Sequence, residues 1–354
     1  MILNIFYKKL NLPMTKPFRI SLGSSENYEG FILKIETDDG ITGIGEAVPT
    51  PYITGDTMES IEGELKNLEK LLVGKEESQE NINDILKKNF KGSKASRAAI
   101  DMALWDIMGK RANLPIYKII GGTKKDIKTS LTIDLAPPEE AKRMALQFLN
   151  EGVKVFKIKL GSGIQEDIER VKEVRNAIGN EKMAYVDFNQ AYDAKRALKV
   201  IDAIERYDIE FIEQPVPAWD LKSLKFIRER TNIPIMADES LMSIHDLEKI
   251  VHFEAADMIN IKLMKTGGIT DAIKLVDAAE LFNIPVMIGC MVETKVAVAA
   301  GLNIALAKKW VKYADLDGFT SLKEEITEDG LDLKNGELML KDYPGLGVKL
   351  KDVL

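Results

Sequence analysis

Asp134, Lys159, Asp187, Glu213, Asp238, Lys262, Cys290 and Asp315 fall at or near the ends of eight short apolar runs: TSLTID, KVFKIK, MAYVD, IEFIE, PIMAD, DMINIK, PVMIGC and KYADLD. Successive members of the series stand 24 to 28 residues apart. Asp187, Glu213 and Asp238 are the chemically telling stretch. Three convergent carboxylates without a histidine suit Mg²⁺, which takes oxygen ligands and keeps positions open for substrate. A single acid at a strand end reads as a helix cap. Three in register, whose charges would otherwise repel, point to a cation. Asn189 and Glu239 follow a ligand by one or two residues, placed to support it by hydrogen bonding.

Lys157 and Lys159 are two apart on one run, so their side chains share a face. Two neighbouring ammonium groups depress each other's basicity, and a nearby divalent cation adds to the effect. A lysine so placed is expected to act as a base near neutral pH. Lys262, in NIKLMKTGG, stands across the ring. The ordinary reading of a lysine is surface solvation, but Phe156, Ile158, Ile261 and Leu263 mark these runs as buried. An unpaired buried lysine is costly to keep without purpose. Asp315-Leu316-Asp317 carries two carboxylates of one parity, so both can face the same mouth. Seen alone, it fits a turn and cap pair before Gly318 equally well. Cys290 has no histidine beside it and reads as packing.

These residues need elements to position them. An apolar run followed by a helix-length amphipathic stretch, repeated eight times, is the pattern of βα units closing into a parallel barrel. The strand ends then converge on one mouth, and the charged series becomes a ring. The first 124 residues have another texture. MILNIFYKKLNLPM and EGFILKIETDDGITGIGEAVPT read as antiparallel strands with Asp39-Gly40 at a hairpin turn. Three helical stretches follow, the last running from a Ser93 cap to Gly121-Gly122. The expected organisation is an α+β domain over 1–124, a barrel over 125–318, and a tail, 319–354, that returns to complete the first domain. Within the barrel, Pro137-Pro138 opens a helix that closes at Gly152, and another runs from Ser162 to Gly179.

Composition narrows the class. With 354 residues, 45% hydrophobic and 30% charged, the chain reads as an enzyme-sized globular protein. A net charge of −7 argues against nucleic acid, and no apolar run reaches membrane-spanning length. One cysteine, and no signal-peptide pattern at the start, fit a cytoplasmic setting. The two histidines, His245 and His252, read as a solvated helix surface, so a His-rich metal site is excluded.

Lys157-x-Lys159, Asp187, Glu213, Asp238 and Lys262, with the GIGEA segment, resemble the muconate-lactonizing subgroup of the enolase superfamily over essentially the whole chain. The resemblance implies an α/β fold, a modified TIM barrel (β/α)7β with an α+β capping domain. It implies one Mg²⁺ on the three acids and removal of a proton α to a carboxylate, giving an enediolate. Lysines on the two faces would allow a 1,1-proton transfer, with Lys159 and Lys262 as bases and Lys157 aiding charge stabilisation. Asp315-x-Asp317 resembles the dipeptide epimerases (L-Ala-D/L-Glu epimerase-like), which implies a dipeptide whose ammonium rests on these aspartates. Arg19, Gly23 and Tyr52 in the cap, with Asp134 and Met291 at strand ends, would line the substrate. Ala-Glu epimerases sharing the TKPF segment carry an arginine where Gly23 stands, so an apolar or neutral second residue is expected. Glu26 and Glu29 leave a cationic one open. The alternatives are an o-succinylbenzoate synthase or N-acylamino-acid racemase, a muconate cycloisomerase, and a non-catalytic dipeptide-binding barrel. Homo-oligomerisation is common in the family.

Overall fold

The computed structural model describes residues 1–89, 91–123 and 126–353. The expected domain boundary at 124/125 lies outside the described residues. Three antiparallel strands open the chain: β1 (Ile2–Ile20), β2 (Gly23–Thr37) and β3 (Thr42–Ala47). Gly40, with φ of 80°, makes the expected turn between β2 and β3. Helices α1 (Met58–Leu72), α2 (Gln79–Asn89) and α3 (Lys94–Ala112) follow, α1 packing on β1, α2 on α3, and α3 on β2 and β3. The GIGEA glycines explain how closely. A Cβ on Gly43 or Gly45 would lie 2.0 or 1.9 Å from a carbonyl oxygen of α3, so β3 meets that helix backbone to backbone.

Ser93 caps α3 as expected, accepting from Ser96 N at 3.1 Å. The helix does not run on to Gly121, however. It ends at Asn113, which is left-handed (φ 53°), and a single turn, α4 (Ile116–Ile119), follows Pro115. Proline lacks the N–H that would continue the helix and disfavours helical geometry in the residue before it.

After β4 (Asp126–Lys128), the repeat begins. It comprises β5 (Ser130–Ile133), α5 (Pro138–Asn150), β6 (Val155–Lys159), α6 (Ile164–Ile178), β7 (Met183–Asp187) and α7 (Ala194–Ile204). It continues with β8 (Ile212–Glu213), α8 (Leu221–Arg228), β9 (Ile235–Ala237), α9 (Ile244–Phe253), β10 (Met258–Lys262) and α10 (Leu263–Thr266). It closes with α11 (Ile269–Leu281), β11 (Val286–Gly289), α12 (Lys295–Ala307) and β12 (Val311–Asp315). The eight strands β5 to β12 form one parallel sheet in sequence order, each expected run supplying one strand.

Alternation along the strands fills the interior. Val155, Tyr185, Phe211, Met236, Met258 and Met287 pack as a separate apolar cluster. They share parity with Lys157, Asp187, Glu213, Asp238 and Lys262, one or two pairs further along the same strands. The charged ring therefore sits directly above an inward apolar plug. Strands β12 and β5 meet through side chains: Thr129 Oγ1 accepts from Leu316 N at 2.8 Å, and Asp317 Oδ2 accepts from Thr132 N at 2.7 Å.

Among the described residues, no α-helix follows β12. A 3₁₀ turn at Gly318–Ser321 leads to β13 (Thr327–Asp329), β14 (Leu331–Lys334), β15 (Glu337–Leu340) and β16 (Lys349–Leu350). β15 pairs with β4, while Lys323 N donates to Pro13 O at 2.9 Å and Leu346 N to Asp106 Oδ1 at 2.8 Å. The tail thus touches both β1 and α3. Among the described residues, no helix is long and apolar enough to cross a membrane.

Candidate active site

The C-terminal ends of β6 to β10 and β12 bring the charged ring together. Lys157 is buried, its ammonium 2.6 Å from Asp315 Oδ2, 2.9 Å from Glu213 Oε2 and 3.0 Å from Asp187 Oδ2. The Tyr185 ring centre lies 5.7 Å from it. Lys159 stands one pair nearer the mouth, 2.7 Å from Asp187 Oδ2 and 2.8 Å from Asn189 Oδ1. Lys262 faces it from four strands away, 2.9 Å from Asp238 Oδ2. The second oxygen of Asp238 belongs to Lys265, which is also buried.

Charge is unevenly balanced here. Burial drives the Glu213 carboxyl up, the Asp187 charge adds to it, and the group reaches about 8 despite Lys157. Burial and the Asp238 charge likewise raise Glu239 to about 7. Asp187 behaves oppositely. Burial would raise it, but the ammonium groups of Lys157 and Lys159 outweigh that and hold it at about 2. The expectation that its neighbour depresses the basicity of Lys157 is corrected, and Lys262 across the ring is raised as well. Burial lowers both, yet the acids around Lys157 (Asp187, Asp315 and Glu213) and Asp238 beside Lys262 carry them well above the ordinary lysine value. Each ammonium is matched to a carboxylate before it meets another lysine.

Among the described residues, no three Asp, Glu, His or Cys side chains are drawn together closely enough to enclose a metal ion. Lysine ammonium groups lie between the acids instead. Glu213 Oε2 and Asp238 Oδ2 are buried within ion-pair reach of Lys157 and Lys262, yet neither has an aligned hydrogen bond.

Several groups fix these acids. Asn189 N donates to Asp187 Oδ1 at 2.8 Å, and Asn189 Nδ2 to Glu239 Oε1 at 3.2 Å. Asn260 Nδ2 donates to Glu213 Oε1 at 2.7 Å. Gln214, fully buried and left-handed at φ 37°, accepts from Asp238 N and Ser240 N at 2.9 and 3.1 Å. Sequence reading passed over Asn260, Gln214 and Lys265. Asn260 shares the parity of Lys262, the same rule that linked Lys157 to Lys159, so its signal was there. Gln214 and Lys265 lie beyond the strand ends, where parity gives no direction.

A cavity of about 960 Å³ opens above the ring, lined by Lys157, Lys159, Lys262, Asp315 and Asp317. Asp315 Oδ1 accepts from Ser130 Oγ at 2.8 Å, and its Oδ2 accepts from Lys157 Nζ. Asp317 is half-buried, and burial with the Asp315 charge raises it to about 6. Asp134, Gly23, Tyr52 and Met291 also line the cavity. Asp134 pairs with Lys16 of β1 at 2.7 Å, and Gly23 lies under the Tyr52 ring. Arg19 is on β1 opposite Ser24 and does not line the cavity. His245 is exposed on α9, as expected.

Residues 4–121 match the mandelate racemase / muconate lactonizing enzyme N-terminal domain, and residues 140–353 the enolase C-terminal domain-like family. The chain belongs to the mandelate racemase/muconate lactonizing enzyme family of the enolase superfamily. Like other chains of this family, it pairs an antiparallel cap sheet with an eight-stranded parallel barrel. It is 39% identical over 344 residues to the L-Ala-D/L-Glu epimerase of Clostridium acetobutylicum, covering 96% of each chain. It is 36% identical to the N-succinyl-L-Arg/Lys racemase of Bacillus cereus, over 97% of this chain and 94% of that one. The dipeptide epimerase of Enterococcus faecalis, solved with Mg and L-Leu-L-Tyr, superposes with a TM-score of 0.96 at 35% identity, over 98% of this chain and 99% of that one. Within the family, this chain is an isomerase of the racemase and epimerase kind.

Proposed function

We propose that the chain is a Mg²⁺-dependent dipeptide epimerase that moves a proton at the α-carbon of the C-terminal residue of an L,L-dipeptide. The observation that carries this reading is the placement of Lys159 and Lys262 on strands four apart, facing one another across one cavity. One base can then take the proton from one face of the α-carbon while the other returns it to the opposite face. A planar enediolate would lie between them.

By its chemistry the donor set suits Mg²⁺, although its acids here close on lysine ammonium groups rather than on one another. It is all oxygen, buried and richer in acids than in lysines, and Lys157 shows a cation already accommodated between Asp187 and Glu213. Asp187, Glu213 and Asp238 would hold the metal. Bound there, it supplies positive charge to the substrate carboxylate as the α-proton leaves. Lys157 adds fixed positive charge at the same place. A metal beside these acids also lowers the hold they have on the lysines, favouring the neutral base form.

Asp317 and Asp315 would receive the dipeptide's ammonium, and an apolar or neutral second side chain would lie against Phe18, Ile20, Gly23 and Tyr52, which line the cavity's cap side. The N-succinyl racemase relative supports a second reading, an N-acylamino-acid racemase. Against it, a succinyl carboxylate would face the carboxylates of Asp315 and Asp317. Under either reading we assign residues 1–124 with 319–354 to the cap and 125–318 to the catalytic barrel. Self-association of the chain is proposed on the same family grounds.

Proton NMR in D₂O with Mg²⁺ tests the function. Loss of the second residue's α-proton signal in pooled L,L-dipeptides, with a new diastereomer, is expected. Exchange confined to N-succinylamino acids would replace the dipeptide reading.

A further inference from the structure

The cap reaches the barrel mouth through a short stretch at the end of β1. Lys16 pairs with Asp134, Arg19 O accepts from Leu135 N at 3.2 Å, and Ser21 follows one residue beyond the strand. The Ser21 hydroxyl points its single proton at two barrel carbonyls, Asn189 O at 2.8 Å and Phe188 O at 3.1 Å. Its Cβ is packed over Gly161, where any added Cβ would come within 2.8 Å of it. Gly161 is two residues from Lys159.

Asn189 is an unusual residue to be held this way. It and Gln190 are consecutive left-handed non-glycine residues, with φ of 40° and 68°. Such backbone persists only where its surroundings fix it. Gln190 N is fixed by Gln214 O at 2.9 Å, from inside the barrel. The carbonyl of Asn189 is fixed by Ser21, from the cap. The same residue's side chain then lies between Lys159 at 2.8 Å and Glu239 at 3.2 Å. The cap also bonds the opposite wall, where Lys94 donates to Met242 O and Asp101 accepts from Thr270 N, but among the described residues none of these bonds falls on a residue paired with Lys262. Among the described residues, no hydrogen bond from the cap reaches Lys262 or Asp238.

We propose that Ser21 is a positioning residue for Lys159: the cap hydroxyl sets the Asn189 backbone, and the Asn189 amide sets the ammonium. This rests on the epimerase reading for what Lys159 does. The consequence is one-sided. The Gly23 turn over the cavity lies two residues beyond Ser21, so seating this turn and aligning one of the two bases become a single event.

The one-sidedness gives a test that a general loosening does not imitate. Ser21→Ala is compared with wild type, with Mg²⁺, on both diastereomers of a dipeptide carrying hydrogen or deuterium at the α-carbon. Because the equilibrium constant is fixed, kcat/KM must fall by the same factor in both directions, several-fold. The primary isotope effect should rise for the diastereomer deprotonated by Lys159, whose step is now slower. It should fall for the other, where removal by Lys262 becomes more reversible before Lys159 returns a proton. Ser21→Thr, which keeps the hydroxyl, should restore both. Isotope effects that stay put or move together, or a rise in KM alone, would overturn the proposal.

A wild type that epimerises no dipeptide would instead count against the parent reading. Positioning is then read without substrate, from competitive acetylation by acetic anhydride resolved by mass spectrometry. Ser21→Ala should change the Lys159 rate several-fold and leave Lys262 unchanged. Equal rates at Lys159 in the two proteins would sink the proposal independently of activity.

Discussion

The Lys157 ammonium and the Asp315 carboxylate lie 2.6 Å apart, nearer than Glu213 or Asp187 lies to that lysine. They come from the second and last strands of the barrel, so the pair spans the seam where β5 and β12 are joined by side chains. Ser130 takes the other Asp315 oxygen at 2.8 Å. Asp315 is therefore already engaged by its own chain. Asp317 has one oxygen on Thr132 N and is more open to the cavity. The two aspartates, equivalent by spacing, differ in what they can offer a substrate.

That difference predicts unlike variants. Asp317→Asn removes a carboxylate available to the substrate ammonium. A charge-assisted hydrogen bond of about 1.5–3 kcal/mol corresponds to a rise in KM of roughly ten- to a hundredfold, with kcat less affected. Asp315→Asn leaves Lys157 short of a partner in a buried pair and should cost about 3–5 kcal/mol of stability. Thermal unfolding beside steady-state kinetics separates the two. Equal stability losses would show the aspartates to be structurally alike.

Metal dependence should be visible without turnover. Mg²⁺ at a hundred times its Kd should stabilise the folded state by about 2.7 kcal/mol, and EDTA should remove both that gain and the activity. Lys157→Met leaves three buried carboxylates without their shared ammonium. It should unfold more readily than wild type in EDTA, yet gain more from Mg²⁺. A smaller gain than wild type would mean that Lys157 does not occupy the place of a cation.

The barrel was legible because its evidence is local: each apolar run ends where its strand ends, and alternation fixes which side chains turn inward. Alternation places Asp187, Glu213, Asp238, Lys159 and Lys262 on the inward face in this way. Other features depend on groups far apart in sequence. The raised basicity of Lys157 comes from acids on three other strands, and the hold of Ser21 on Asn189 crosses from cap to barrel. The break at Asn113 was readable, since Pro115 stood in the segment taken as one helix. Gly23 and Tyr52, from the two cap segments expected to meet substrate, line the cavity, whereas Arg19, on β1, does not.

Glu293 supplies a pH dependence away from the expected metal ligands. It is buried beyond the β11 end; burial, reinforced by the Glu46 charge, pushes it up to about 8. The unfolded chain loses this proton near the ordinary glutamate value of about 4.3. Between there and about 8 the folded state therefore binds more protons, so this group lowers stability as pH rises. Glu293→Gln should flatten that part of the profile, matching wild type at low pH and exceeding it at pH above the raised value. Urea unfolding across the range measures it. A variant parallel to wild type throughout would mean that Glu293 is ionised in the folded protein.

Removing one base at a time separates epimerisation from exchange. In Lys262→Ala, Lys159 can still take a proton from its own face and return one to the same face. Solvent deuterium should then enter one diastereomer without inversion. Lys159→Ala should reverse the preference, with exchange confined to the other diastereomer. Epimerisation should fall in both by about 10²–10⁴-fold, the usual contribution of a positioned acid or base. The readout is NMR of each diastereomer in D₂O, following loss of the α-proton separately from appearance of the epimer. Both lysines touch acids proposed to hold the metal, Lys159 at Asp187 and Lys262 at Asp238, so a damaged site would slow both diastereomers together. Opposite exchange preferences would exclude that and tie each lysine to one face. Exchange of the same diastereomer in both variants would place the two lysines on one side of the α-carbon and leave the 1,1-proton transfer without its second base.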